Sequence, residues 1–412
     1  MPPRLYKHAL ESIFAHLSLP DLARVSAACR DWSAAVDSMR PIGTSAKLQQ
    51  SSFRATHKLY LMRHVSDLCY VGKLVCLRKI AVLCDAIKQS RSLKKITFDK
   101  NRIVAGSLVM VTEAIAQSKS LATVDIANIR VDIESACALA ETIVQSTSLT
   151  TIRLDNNSIG AEGASAIVDA VVKQSKSLTE VDLSGNKIGD VGASSIAEAI
   201  RQSKSLTRVY LSGNKIGDVG ASSIAEAIKQ SKSISTVNLG WNRISAVGAS
   251  AIAEAIEQSK SLTSVNLRDN AIGGVGAPAI ANAIKQSKLL TKVDLSNNAI
   301  GDEGASFIAE AIKQSKSLAA VSLRDNQIGA IGAYSIAEAI VQNTSLVTMD
   351  LSGNRLGLEG AVAIADTITR FHTTLRILDL GCNSMGTFGV DAIGKAIKQG
   401  TSLVSVNASF NY

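Results

Sequence analysis

Aromatic side chains are scarce in this sequence, at 4% of 412 residues, while Ala, Ile, Leu, Ser and Gly abound. A core must therefore be built from small and aliphatic groups packed closely, and no large aromatic cluster is on hand to wall a deep cofactor pocket. The six cysteines, Cys29, Cys69, Cys76, Cys84, Cys137 and Cys382, form no CxxC pair and fall mostly on apolar-patterned positions. That fits reduced thiols used as small hydrophobes and speaks against disulfides and zinc. His8, His16, His57, His64 and His372 show no HxxxH or HExxH spacing and read as surface or helix residues. No run of 18 apolar residues occurs, and the opening MPPRLYKH has neither the apolar stretch nor the small-residue cleavage site of a secretory signal. The expectation is an intracellular protein, cytoplasmic or nuclear, with no membrane span. The phrase SGNKIGD holds glycines and a lysine but no GxxxxGK[ST], and no Ser, His and Asp set stands apart from the surrounding pattern. No cofactor, metal or catalytic centre is expected.

What is present is repetition. Aligned on the leucine of "SL", repeats open at Leu93, Leu121, Leu149, Leu178, Leu206, Ile234, Leu262, Leu290, Leu318, Leu346, Leu375 and Leu403, 28 residues apart with 29 at two places. Each opens LxxLxLxxNxI, as in Leu178, Val181, Leu183, Asn186 and Ile188. Apolar residues two apart suit a short strand with one buried face. Ala193, Ile196, Ala197 and Ile200 then recur at helical spacing, with Ser194, Ser195, Glu198 and Arg201 facing outward. Alternating strands and helices make neighbouring strands parallel with helices on one side, an α/β class. One unit cannot bury its own apolar faces, so stacking creates the core.

The copied residues are those that stack. Gly192 and Ala193 recur because a bulkier residue would hold the helix off its strand. Asn186 recurs from Asn101 to Asn411, where the backbone turns inward and an amide, both donor and acceptor, can satisfy buried groups from one unit to the next. The second repeat departs, with Ile129 where Asn belongs and Asn128 one residue early, and is expected to be locally irregular. Over residues 93–412 the pattern resembles the leucine-rich repeats of the ribonuclease-inhibitor type, including those of NLR immune receptors. That resemblance implies a horseshoe solenoid with a concave parallel sheet and convex helices. Residues 65–92 keep the spacing faintly, through Val65, Leu68, Tyr70, Val75 and AVLCDAIKQS, and read as a degenerate capping repeat; residues 38–64 read as a polar linker. At the far end LVSVNASFNY is a strand signature with no helix after it. Its edge would serve to pair a second copy, or marks where the chain was cut.

Residues 1–37 are of another kind. Leu5, Ala9, Leu10, Ile13, Phe14 and Leu17 trace a helical stripe, Pro20 and Asp21 start a second short helix, and Val25, Cys29 and Trp32 continue the apolar pattern. The three-helix unit resembles the F-box: Leu5, Ile13, Phe14, Leu17, Asp21, Leu22, Cys29, Arg30 and Trp32 match in type and spacing, and Tyr6 stands where that family has Pro. The resemblance implies docking on a Skp-type adaptor of a cullin-RING ubiquitin ligase through Leu5, Ile13, Phe14, Leu17 and Leu22, with the repeats choosing the substrate. The alternative is a free-standing binding protein, a sensor, inhibitor or effector, whose N-terminal helices only cap the repeats.

The net charge of +9 invites a nucleic-acid reading, but location matters more than the sum. The expected concave face carries seven basic residues (Lys95, Lys100, Arg153, Arg208, Arg268, Lys292, Arg324) against ten acidic ones, among them Glu180, Asp182, Asp269, Asp294, Asp325, Asp350 and Asp379. It is a poor phosphate groove. The cationic excess lies at helix ends and in the following loops, in columns such as Arg201, Lys229, Lys285, Lys313 and Lys204, Lys232, Lys260, Lys288, Lys316. We read these as cations complementing helix C-termini and pairing with Glu198 or Glu226, in preference to a ridge for RNA, phosphoinositide or an acidic protein. Partner information must lie where copies differ, and on the concave face Arg208, Tyr210, Trp241 and Arg268 differ most in kind, with types that dominate interface energies. Two readings of Trp241 stay open: an anchor for a partner, or a ring folded over the sheet rim onto its own loop.

Overall fold

The computed structural model describes residues 44–49, 65–71, 77–99, 105–129, 131, 133–174, 177–370, 373–399 and 403–412. The adaptor-contact residues Leu5, Ile13, Phe14, Leu17 and Leu22 lie outside the described residues. Two compact units are formed, Met1–Ile159 with Lys173–Leu178, and Gly160–Val172 with Thr179–Tyr412.

The first unit contains strands β1 (Thr44–Gln49), β2 (Val65–Val71), β3 (Lys95–Asp99), β4 (Thr123–Ala127) and β5 (Thr151–Arg153), and helices α1 (Leu77–Gln89), α2 (Ala105–Gln117) and α3 (Ile133–Gln145). Each strand pairs in parallel with the next. Strand β1 falls inside the stretch read as a polar linker; its hydrogen bonds to β2 come from the backbone, which the polar side chains of TSAKLQ do not report. Ile80, Leu83, Ile87, Ile96, Phe98 and Ile115 form a core with almost no exposure, and among the described residues Phe98 is the largest side chain fully buried.

The second unit stacks β6 (Glu180–Asp182), β7 (Arg208–Tyr210), β8 (Thr236–Asn238), β9 (Ser264–Asn266), β10 (Lys292–Asp294), β11 (Ala320–Ser322), β12 (Thr348–Asp350), β13 (Ile377–Asp379) and β14 (Ser405–Asn407), again parallel and in sequence order. Helix α4 (Gly160–Gln174, of which Gly160–Val172 belongs to this unit) precedes β6, and between the strands run α5 (Gly189–Gln202), α6 (Asp218–Gln230), α7 (Ala246–Gln258), α8 (Gly273–Gln286), α9 (Gly301–Gln314), α10 (Ala330–Gln342), α11 (Gly357–Arg370) and α12 (Gly386–Gln399). Burial follows the repeat. Val181, Leu183, Ile188, Ala193, Ile196 and Ile200 are buried, and so are their counterparts 28 residues on.

The asparagine ladder has the form its residue type demands. Asn326 Oδ1 accepts the N–H of Asn298 at 2.9 Å, and its Nδ2 donates to Leu295 O of the preceding repeat at 2.9 Å. Asn214 and Asn354 repeat the arrangement. The backbone on either side is less orphaned than expected, because the strand ladder continues beyond three residues: Leu183 N–H donates to Tyr210 O and Gly185 N–H to Ser212 O. The irregularity expected of the second repeat is absent from its described residues. Ile129 is buried and its N–H still donates to Asn157 Oδ1 at 2.9 Å, because the backbone path is set by the next repeat's amide.

The phrase QSKSL is copied for hydrogen bonds. The first serine ends the helix: Ser203 Oγ accepts the N–H of Leu206 at 3.1 Å and Ser287 Oγ that of Leu290 at 3.1 Å. The second reaches back one repeat, as Ser261 Oγ donates to Ile234 O at 2.8 Å and Ser317 Oγ to Leu290 O at 2.9 Å. Gly192 is small for a reason beyond its own strand. A Cβ there would lie 2.2 Å from Ile188 Cγ2 and 3.2 Å from Ala161 Cα of the neighbouring helix.

Candidate partner-binding surface

Arg208 and Tyr210 stand on β7, with Asn238 and Asn266 in register beside Tyr210 on β8 and β9. Parallel strands spaced at about 4.8 Å put three such units within about 10 Å. Arg208 is already engaged: its Nε donates to Glu180 Oε2 at 2.8 Å, and Glu180, the residue in register on β6, is buried. This carboxylate holds the guanidinium toward the preceding strand.

Trp241 and Arg268 are brought together. Trp241 lies in the turn after β8 and is 60% exposed, and the Arg268 guanidinium carbon sits 5.9 Å from the indole centroid, within cation–π range. The backbones join as well, Trp241 N–H donating to Arg268 O at 2.7 Å. Arg268 Nε in turn donates to Asp269 Oδ2 at 2.7 Å, and Asp269 Oδ1 accepts from the Asn297 amide. The ring thus rests against the next repeat's arginine while remaining open to solvent. Beside it is a depression of about 480 Å³ lined by Trp241, Asn242, Arg243, Asp269, Asn270, Ala271, Asn297 and Ala299.

The backbone at Trp241 carries a signal that sequence reading missed. Seven places after each repeat opening, the described residues take positive φ: Asn156 at 56°, Gly213 at 69°, Trp241 at 55°, Asp269 at 53°, Asn297 at 51°. Gly, Asn and Asp suit that conformation, and a residue such as Trp pays about 1–2 kcal/mol for it. The exchange of SGN for GWN in this repeat places Gly240 where a Cβ would sit 3.2 Å from Arg268 O, and the bulky ring where glycine is at ease. An aromatic held open to solvent in a strained turn is the kind of feature associated with binding.

The cationic columns behave differently from each other. Lys229 Nζ lies 3.1 Å from Glu226 and 3.2 Å from Glu254 of the next helix, and Lys313 lies 3.6 Å from Glu310 and 3.2 Å from Glu338. The hydrogen bond to Glu226 leads in raising the Lys229 pKa. Lys204, Lys232, Lys260, Lys288 and Lys316 are exposed. No described helix is long and apolar enough to cross a membrane.

The leucine-rich repeat family model matches nine segments, residues 145–168, 174–197, 202–225, 230–253, 258–281, 286–309, 314–337, 342–365 and 371–394, together just over half of the chain. The F-box domain model matches residues 3–42. No curated protein matches. Among solved structures the chain is similar to leiomodin-1 actin-binding site 2, at 23% identity over 35% of this chain and 84% of that one, with a TM-score of 0.32. It is similar also to the tropomodulin C-terminal domain of Caenorhabditis elegans, at 21% identity over 36% and 90%, with a TM-score of 0.32.

Proposed function

The chain belongs to the leucine-rich repeat family and carries an F-box domain at residues 3–42, and from that premise we propose that this protein-interaction scaffold is the substrate receptor of a cullin-RING ubiquitin ligase. The observation that carries the reading is the joining, in one chain, of an F-box with a repeat array. In it Leu5, Ile13, Phe14, Leu17 and Leu22 contact a Skp-type adaptor, while Arg208, Tyr210, Trp241 and Arg268 receive the substrate protein. Three features support the second half: the exposed, strained Trp241, its cation–π contact with Arg268, and the neighbouring depression. The two modules are of interaction type, so the chemistry belongs to the recruited ligase and not to this chain.

Pull-down of the full chain with a Skp-type adaptor tests the reading. Binding is expected for the wild type and loss of binding for Ile13→Asp, Phe14→Asp and Leu22→Asp together, with the repeat array still folded by circular dichroism. If the wild type leaves the adaptor unbound and the triple variant alters stability alone, the chain is a free-standing repeat protein that binds its partner without a ligase.

A further inference from the structure

On the helices of the second unit, the position thirteen places after each repeat opening stands in the first helical turn and faces away from the core. In α5 to α8 it is valine each time, ending with Val275 at 86% exposure. From α9 onward it alternates: Glu303, Ile331, Glu359, Phe388, with Ile331 69% and Phe388 79% exposed. Tyr334, one turn further along α10, is exposed beside Ile331. These side chains add nothing to the core, which is built from Ile308, Ile336 and Ile364 on the opposite face. Glu303 and Glu359 are exposed and belong to no ion pair among the described residues. A carboxylate in a first helical turn suits the helix dipole, but the dipole gives no reason for large apolar groups to occupy the alternate helices.

We propose that the outer face of α8 to α12 docks an amphipathic α-helix of a partner protein that presents apolar and Lys or Arg residues alternately along one side. Charge selects this occupant. Unpaired carboxylates between exposed apolar residues would be left desolvated against a wholly apolar partner and are complemented by a basic one. Spacing agrees. Packed helices stand roughly 8–10 Å apart, and an α-helix advances about 10.5 Å in seven residues, so successive heptad positions of a helix laid across α8 to α12 meet successive repeats. Trp241 is not one of these helix residues, and the proposal does not depend on the ligase reading.

The probe is a fluorescein-labelled synthetic helix of about 28 residues with Leu and Lys alternating at heptad spacing on one face, titrated with the full chain and followed by anisotropy. A matched peptide with Glu in place of Lys is the control. The Leu/Lys peptide should bind and the Leu/Glu peptide should not. Ile331→Asp with Phe388→Asp should weaken binding at least about tenfold, or 1.4 kcal/mol. Glu303→Lys with Glu359→Lys should reverse the preference to the Leu/Glu peptide, and Trp241→Gly should leave both results unchanged. All the substituted groups are exposed, so equal melting temperatures would separate loss of the surface from loss of the fold. Equal binding by the double Asp variant, no binding by the wild type, or no reversal with the lysine variant overturns the proposal. So does a dimer in ultracentrifugation that the Asp variant abolishes, because a second copy would then be the occupant.

Discussion

The carboxylate of Asp218, in the first turn of α6, closes the start of α7 through Ser245, accepting its hydroxyl at 2.6 Å and its N–H at 2.8 Å. It also accepts the N–H of Gly248 at 2.9 Å. Ser245 is the N-cap and Gly248 the third residue of α7, so two of the helix's orphan donors are satisfied from the repeat before. Asp190 does the same for Gly217 and Gly220, and Asp302 for Gly329 and Gly332. Asp218→Ala should therefore cost about 1–2 kcal/mol, read as a lowered midpoint in urea, although Asp218 makes none of these bonds within its own repeat.

This cap also makes stability depend on pH. Burial acts to raise the Asp218 pKa, but hydrogen bonds from the Ser245 hydroxyl, the Ser245 N–H and the Gly248 N–H outweigh it and hold the carboxyl below its ordinary value. With the folded value below the unfolded one, the unfolded chain binds the proton more readily. The contribution is therefore complete above about pH 4 and is lost as pH falls through the folded value. Melting temperatures of the wild type and Asp218→Ala, taken from pH 7 downward, should converge in that acid range. A constant gap would show that the carboxylate's charge is not what the cap uses.

The period, the strand and helix order and the asparagine ladder were legible because each is written in a residue type at fixed spacing: Asn186 and Asn326 need partners that a neighbouring copy supplies. The Asp190, Asp218 and Asp302 caps were not, since their partners lie 27 and 30 residues ahead and an acidic residue in a first turn already has a local explanation. The serines of QSKSL were hidden in the same way beside the conspicuous lysine. At the candidate site, Trp241 and Arg268 were visible as departures from the copy. That Arg208 is held by Glu180 was not, because Glu180 is one of many charges on that face and only the strand register puts it beside Arg208. The strained turn at Trp241 is legible in its column, which reads Gly, Asn or Asp at Asn156, Gly185, Gly213, Asp269, Asn297, Asp325 and Gly353 and, among the described residues, departs from those types again only in the last two repeats, at Cys382 and Phe410.

Two glycines in helices should respond in opposite directions to alanine. A Cβ on Gly220 would lie 2.7 Å from Asp190 Oδ1, 2.7 Å from Ile216 Cγ2 and 2.9 Å from Ala193 Cβ. Gly220→Ala should thus overpack the joint between α5 and α6, disturb the Asp190 cap, and cost about 1–3 kcal/mol. At Gly394, inside α12, a Cβ meets nothing within 4 Å. Gly394→Ala should stabilise by about 0.5–1 kcal/mol. Chemical denaturation of both variants checks the pair.

Removing one rung of the asparagine ladder should be far more damaging than removing a surface ion pair. Asn326→Ala leaves the N–H groups of Asn298 and Ile300 without this acceptor in a closely packed stack, and takes one donor each from Leu295 O and Arg324 O, which keep Asn298 Nδ2 and the Asn297 N–H. A loss of about 3 kcal/mol or more is expected. Lys229→Ala breaks contacts to Glu226 and Glu254 on an exposed helix face and should cost less than about 1 kcal/mol. Urea titrations that returned similar losses for the two would show that the ladder is replaceable by water.

Trp241 offers the sharpest separation of binding from stability. Glycine at this position relieves the positive φ of 55°, which is worth about 1–2 kcal/mol, while it forfeits an exposed cation–π contact with Arg268 worth about 0.5–1 kcal/mol and adds freedom to the unfolded chain worth about 0.5–1 kcal/mol. These effects nearly cancel, so Trp241→Gly should keep its stability within about 1 kcal/mol of the wild type. Its affinity for a protein that the sheet side binds should fall by at least about 2 kcal/mol if the indole is an anchor. Calorimetric titration of an identified substrate protein against both chains, with thermal melts alongside, reads the two quantities independently. Unchanged affinity at unchanged stability would move the binding site away from the turn after β8, and a large loss of stability would mean that the ring holds the repeat together rather than a partner.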